Sequence, residues 1–208
     1  KVTSMTLHVC ALSGFSTSQR QSAKNMYGAL RALTMVAMAA PALALAQTAT
    51  CDGSLFLSQN GPTQLHLIST ASNPMTFTAI GSIANVSYNA LGYSPSGVLY
   101  ALPFTANQNH LLTLNQTTGA VTDEGVVAGL PGGTNFNTGT VGSDGVYYVK
   151  QVGNNGVIYA INPTAKTATA INLTQSFIAS DMAWVGGAGG GLYAAGDDGE
   201  RLSVGTNG

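Results

Sequence analysis

Few residues in this 208-residue chain have the chemistry for catalysis or metal binding, and their spacing limits what they could do. His66 and His110 lie in or beside equivalent segments one repeat apart, with no third His or nearby Cys to complete a tetrahedral set. Equivalent positions on successive repeats splay outward, so both are expected at strand edges. Asp181, just before Met182-Ala183-Trp184, is expected on an innermost strand, within reach of a central channel. Its counterparts are Ala90 and Thr138, so no ring of carboxylates forms for a cation, and a structural hydrogen bond is the expected role. Asp197-Asp198-Gly199-Glu200 lacks the alternating oxygen ligands and distant Glu of an EF-hand loop and reads as a hairpin turn. The glycine run 186–191 has neither a following helix nor the Lys-Ser/Thr of a phosphate cradle and reads as an inter-strand loop. No nucleophile, base and orienter assemble, because neither histidine stands with a partner carboxylate in a recognisable pattern. Catalytic, cofactor and metal residues are therefore expected to be absent, and the chain is read as a binding or presentation module rather than an enzyme. The candidates for ligand contact are Tyr93, Asn137, Asp181 and Trp184, joined by loop amides at Asn107, Asn109, Asn135 and Asn155 and by Tyr148.

Those side chains need a scaffold, and the chain spells one out in copies. Gly97 opens an alternating run, Val98 to Phe104. A polar loop leads to a second run, His110 to Leu114, which closes on Asn115-Gln-Thr-Thr-Gly119. Period-two alternation with a short connection predicts an antiparallel hairpin. The unit returns as Gly145-Val-Tyr-Tyr-Val with Val157-Ile-Tyr-Ala-Ile, and as Gly191-Leu-Tyr-Ala-Ala with Arg201-Leu-Ser-Val. A weaker copy, Ser54-Leu-Phe-Leu with Gln64-Leu-His-Leu-Ile, stands upstream. Tyr100, Tyr147 and Tyr193 mark one period of about 46 residues, and Leu65, Leu111, Ile158 and Leu202 mark the same one.

A further strand precedes each glycine turn, at Tyr88–Tyr93, Phe136–Val141 and Ile178–Trp184. Another closes the repeats, at Thr76–Ile80, Ala120–Val127 and Thr167–Leu173. Four short strands per period is the pattern of a propeller blade, a four-stranded antiparallel sheet stacked face to face on its neighbours. The near-continuous apolar run Val98–Leu102 fits a strand covered on both faces. Gly97, Gly145 and Gly191 are expected at turn positions of positive φ.

Composition agrees. Charged residues make up 7% of the chain while glycine numbers 26, which suits tight polar turns better than long soluble helices. Residues 47–208 hold Lys150, Lys166 and Arg201 against all eight acidic residues, a net of 3 − 8 = −5. Such a body offers no basic footprint to nucleic acid or anionic lipid. Met26 to Ala46 is a basic start, an apolar run of about 15 residues and Ala44-Leu45-Ala46, which reads as a signal peptide cleaved after Ala46. The run is too short for the roughly 20 residues of a membrane span, and Thr48-Ala49-Thr50 before Cys51 does not fit a lipoprotein anchor. Residues 1–25 show no sustained periodicity and are read as an upstream segment outside the fold, with the start at Met26 or Met5. Removal of Cys10 with the leader would leave Cys51 alone, without a disulfide partner.

The run Val157-Ile-Tyr-Ala-Ile-Asn-Pro-Thr-Ala-Lys-Thr and the weaker Leu111-Leu-Thr-Leu-Asn-Gln-Thr-Thr-Gly resemble the L-Y-x-I-D-x-x-T-G signature of bacterial exported β-propellers of the quinoprotein-like and YVTN type. Residues 51–208 as a whole are similar to uncharacterised propeller-like domains of secreted or surface-displayed bacterial proteins. The resemblance implies an all-β, partial β-propeller of about three and a half four-stranded blades over 47–208, preceded by a signal-peptide helix at 26–46 and truncated at its C-terminus. A compact four-bladed ring is the alternative. A quinone cofactor would need tryptophan-docking repeats, and Trp184 is the only tryptophan. The implied role is non-enzymatic: binding a protein or glycan, or surface presentation, in the periplasm, outside the cell or on its surface. The rivals are a secreted propeller-class hydrolase or lyase with a channel-mouth site, and a structural spacer.

Overall fold

The computed structural model describes residues 2–6, 55–186, 191–196 and 201–204. The expected signal peptide 26–46, both cysteines, the acidic turn 197–200 and part of the glycine run lie outside them. Every described element is a strand. The first sheet holds β1 (Val2–Thr6), β2 (Leu55–Gln59), β3 (Gln64–Ser69) and β4 (Thr76–Ile80). The second holds β5 (Tyr88–Tyr93), β6 (Leu99–Pro103), β7 (His110–Leu114) and β8 (Val121–Val126). The third holds β9 (Phe136–Val141), β10 (Tyr147–Gln151), β11 (Asn155–Asn162) and β12 (Thr167–Phe177), and the fourth β13 (Ala179–Val185), β14 (Gly191–Gly196) and β15 (Arg201–Val204).

Within each sheet the strands pair antiparallel in chain order. The first strand of each sheet touches the first strands of its neighbours. That is propeller architecture, and the sheets are blades. Residues 2–6, read from sequence as outside the fold, form the innermost strand of the first blade.

Alternation along each strand sends side chains to both faces, and both faces find a partner. From β6, Leu99 and Ala101 pack toward the first blade with Phe56, Leu65, Tyr88 and Leu112, while Leu102 and Tyr100 pack toward the third with Phe136, Tyr147 and Val149. From β10, Tyr147 and Val149 face the second blade, and Tyr148 faces the fourth with Ile158, Met182 and Leu192. Turn chemistry follows the sequence. Asn115 Oδ1 accepts the amides of Thr117 and Thr118, each at 2.9 Å, and Asn162 Oδ1 accepts that of Ala165 at 2.9 Å. Gly97 and Gly145 take φ of 81° and 80°. Gly191 does not, because it is already in the ladder opposite Val185. β12 runs to Phe177, beyond the expected end at Leu173, because Leu173 and Phe177 still have the third–fourth blade cluster to pack against.

Candidate functional site

The innermost strands share an irregularity that sequence periodicity hides. Each carries one residue too many for its partner over the same stretch: between Asn89 and Gly92 in β5, at Asn137 in β9, at Ser180 in β13 and at Thr3 in β1. A bulge bends a strand, increases its twist and re-aims side chains, and here it recurs at one level around the axis. The turns β2–β3, β6–β7 and β10–β11 and the blade-to-blade connectors lie at this same end. Backbone bonds tie them together: Thr63 N to Val86 O at 3.2 Å, Phe104 N to Ser87 O at 2.8 Å, Val127 N to Asn109 O at 2.8 Å and Val152 N to Asn135 O at 2.9 Å.

Amides gather at this end. Asn107, Gln108 and Asn109 come from the second blade's turn, Asn135 and Asn137 from the next connector and bulge, and Asn154 and Asn155 from the third blade's turn. Gln108 Nε2 reaches Asn135 Oδ1 across the blade junction at 3.5 Å. Asn137 Nδ2 donates to Ala179 O on β13 at 2.9 Å, while its Oδ1 is buried without a partner. The neighbouring Thr138 is fully buried, and its Oγ1 is also unpartnered. Asp181 occupies the bulged stretch of β13. Its Oδ1 accepts the Met182 amide at 2.8 Å, and burial pushes its carboxyl up to about 8 against the downward pull of that bond, so it is mostly protonated at neutral pH.

Sequence reasoning misses Lys150, the penultimate residue of β10, which lies at this level. Its side chain is fully buried with no carboxylate on it. Nζ donates to Gly153 O at 3.1 Å, Asn155 Oδ1 at 3.2 Å and Gln151 O at 3.4 Å, and lies 4.8 Å from the centre of the Phe177 ring. Burial pulls its ammonium down to about 8. One signal was available: Leu102 and Ala195 hold the same place in the other repeats, so a lysine there replaces a core position.

The four candidate contact residues do not come together. Asn137 and Asp181 lie at the bulged end, whereas Tyr93 and Trp184 stand three to four residues further along their strands, about 10–13 Å away. Both of those rings pack inward. Tyr93 lies 5.5 Å from Phe56, and Trp184 stacks on Tyr148 at 5.6 Å and 6°. Tyr148 is therefore interior, not a loop contact. His66 lies on the outer face of the first blade beside Leu57, its cross-strand partner, with Nδ1 buried and unpartnered. His110 does have a carboxylate, contrary to the sequence reading. The bulge between Asp123 and Gly125 in β8 brings both Asp123 oxygens to 2.9 Å from His110 Nδ1. Among the described residues no group of three or more His, Cys, Asp or Glu is placed to hold a metal ion.

A family model described as "Repeat of unknown function (DUF6923)" matches residues 56–206. No curated protein matches the sequence. Among solved structures, virginiamycin B lyase from Staphylococcus aureus is 14% identical with a TM-score of 0.45, over 73% of this chain and 52% of that one. An auxiliary nutrient binding protein from Bacteroides thetaiotaomicron is 15% identical with a TM-score of 0.46, over 69% of this chain and 33% of that one. The Cps50 (Swd1) beta-propeller domain of Myceliophteria thermophila is 11% identical with a TM-score of 0.41, over 73% and 66%. The chain spans about half the length of the lyase, and likenesses this distant carry no chemistry.

Proposed function

This chain belongs to the DUF6923 repeat family, and from the geometry of its repeats we propose that it is a non-enzymatic binding module whose ligand sits at the bulged, amide-lined end of the propeller. The observation that carries the reading is the convergence of turn and connector amides from successive blades on that end, with Asn137 Oδ1 left as an unused acceptor at its inner rim. Amides both donate and accept, so they suit an uncharged partner rich in hydrogen-bonding groups, a polypeptide backbone or a neutral glycan. The absence of clustered Lys and Arg in residues 47–208 speaks against nucleic acid. The expected setting is outside the cytoplasm, in the periplasm, secreted or on the cell surface, following the leader-like sequence 26–46.

The test is a screen of the full chain against neutral glycans and unstructured polypeptides, followed by variants at both ends. Asn107→Ala with Asn154→Ala should weaken binding at least tenfold, and Ser96→Lys at the opposite end should leave it unchanged. Binding that ignores the first pair and fails with the second would overturn the assignment. So would turnover of a lactone or glycan without stable binding.

A further inference from the structure

The outermost strands of the first three blades, β4, β8 and β12, each leave one edge facing away from the sheet, and the three edges are guarded differently. β4 is short, five residues from Thr76 to Ile80. β8 is bent by its bulge and carries Asp123 and Glu124. Asp123 Oδ1 accepts the Gly125 amide at 2.8 Å, and the Glu124 carbonyl accepts Lys166 Nζ at 2.8 Å. Short length, bulges and charges are the usual defences of an open strand. β12 runs for 11 residues, Thr167–Phe177, without an Asp, Glu, Lys, Arg, Pro or Gly. From Thr167 to Asn172 it pairs with β11 residue for residue, with no bulge.

Part of this edge is already in use, and that shows which of its groups point outward. Ala128, just past the end of β8, bridges Thr167 in parallel: Ala128 N donates to Lys166 O at 2.9 Å, and Ala168 N donates to Ala128 O at 2.7 Å. Backbone groups alternate sides along a strand, so the even-numbered residues face out and the odd-numbered ones bond β11. Gly129 sits against the Ala168 carbonyl. Beyond it Ala170 and Asn172 are exposed, and among the described residues nothing bonds their outward N–H and C=O groups.

We propose that this outer edge of β12 is a strand-pairing site whose occupant is β12 of a second copy, running antiparallel. Symmetry names the occupant. With Ile171 opposite Ile171 of the copy, Ala170 stands opposite Asn172 and Asn172 opposite Ala170, so every free N–H meets a free C=O and each of these two pairs exchanges two bonds. Neutrality permits it. β8 laid against itself would set Asp123 and Glu124 against their own kind, whereas β12 brings no charge to the seam. Pairing consumes the free edge of both strands, so it closes at two copies. The seam lies on the outer rim of the third blade and does not depend on the reading of the amide-lined end.

The experiment is sedimentation of the full chain over a concentration series, with energy transfer between donor- and acceptor-labelled pools. The expected result is an equilibrium between one copy and two that saturates at two. Ala170→Pro removes an outward N–H that β11 does not use, and it should weaken dimerisation at least about tenfold. Two charged chains guard against a folding defect in that variant. Ala170→Lys with Asn172→Lys, and Ala170→Glu with Asn172→Glu, should each stay monomeric alone and pair when mixed, because position 170 of one copy faces position 172 of the other. The proposal is overturned if the parent chain stays monomeric up to about 1 mM, the range of weak association. It is equally overturned if dimers survive the charged substitutions, if the two charged chains fail to pair on mixing, or if fibres form in place of dimers, since fibres need an edge left open.

Discussion

The junction between the second and third blades and the junction between the third and fourth occupy the same place in the repeat, yet they are closed by different means. At the first, backbone meets backbone: Gly139 lies against the Ala90 carbonyl, which accepts the Tyr147 hydroxyl. Around that contact Tyr100 stacks on Tyr147 at 5.8 Å and Phe136 meets Tyr159 edge-on at 5.8 Å. At the second junction the position equivalent to Gly139 is Met182, and the gap admits polar groups: the Asn137 amide, the Thr140 hydroxyl beneath the Trp184 amide, and the fully buried Lys150. Two of its buried polar atoms, Thr138 Oγ1 and Trp184 Nε1, have no partner. One architecture thus supports a dry, close-fitting joint and a polar one, and the polar one borders the amide-lined end.

If the dry joint depends on close approach, a single methyl should damage it most. A β-carbon on Gly139 would overlap the Ala90 oxygen and come within 3.0 Å of the Tyr147 ring, and a backbone atom cannot step aside cheaply. Gly139→Ala should therefore lower unfolding free energy by about 3 kcal/mol in a denaturant titration. Gly191→Ala in the fourth blade, where an added β-carbon meets nothing, should change it by less than about 0.5 kcal/mol. Next in size is Tyr147→Phe, which keeps the packing but strands the Ala90 carbonyl. A loss of about 2 kcal/mol is expected, and no loss would show that the hydroxyl is dispensable to the joint.

The polar joint should reveal itself by pH. Burial holds Lys150 near 8 when folded, against an ordinary lysine value of 10.5, so between those values the unfolded chain binds more protons. Stability should rise as pH climbs from 8, and Lys150→Met should flatten that rise while raising stability at pH 7 by about 1 kcal/mol. Asp181, at the adjoining bulge, runs the other way. Its folded value of about 8 lies above the ordinary aspartate value of 3.8, so the folded chain binds the extra proton and stability falls as pH climbs from 4 to 8. Asp181→Asn should flatten that limb and leave the alkaline one. Equal profiles for parent and variants would show that neither group is as desolvated as its surroundings indicate.

This contrast was only half legible in the sequence. The repeat, the strand positions and the two-faced burial of runs such as Val98–Leu102 follow from period-two alternation and spaced glycines, because those patterns are local. The bulges are not local. Asn89 and Asn137 share a type but Ser180 does not, and only pairing against the next strand shows that each innermost strand carries one residue too many. For the same reason the sequence groups Tyr93 and Trp184 with Asn137 and Asp181: alternation places all four on innermost strands but does not say at which end, or that Trp184 stacks inward on Tyr148. The His110–Asp123 contact likewise depends on a bulge in β8 rather than on sequence spacing.

The finest test of the polar joint lies in two threonines two residues apart on β9. Thr140 Oγ1 accepts the Trp184 amide at 3.1 Å, so Thr140→Val should strand a backbone donor and cost about 1 kcal/mol. Thr138 is equally buried, but its hydroxyl has no partner, so it already bears the desolvation penalty without the bond. Thr138→Val, nearly equal in shape, should leave stability unchanged or raise it by a few tenths of a kcal/mol. The same change should weaken ligand binding if that hydroxyl, beside Asn137 Oδ1 at the bulge, is reserved for the ligand. A Thr138→Val chain that is clearly destabilised would mean that the hydroxyl has a partner within the fold, and the polar joint would then be as fully satisfied as the dry one.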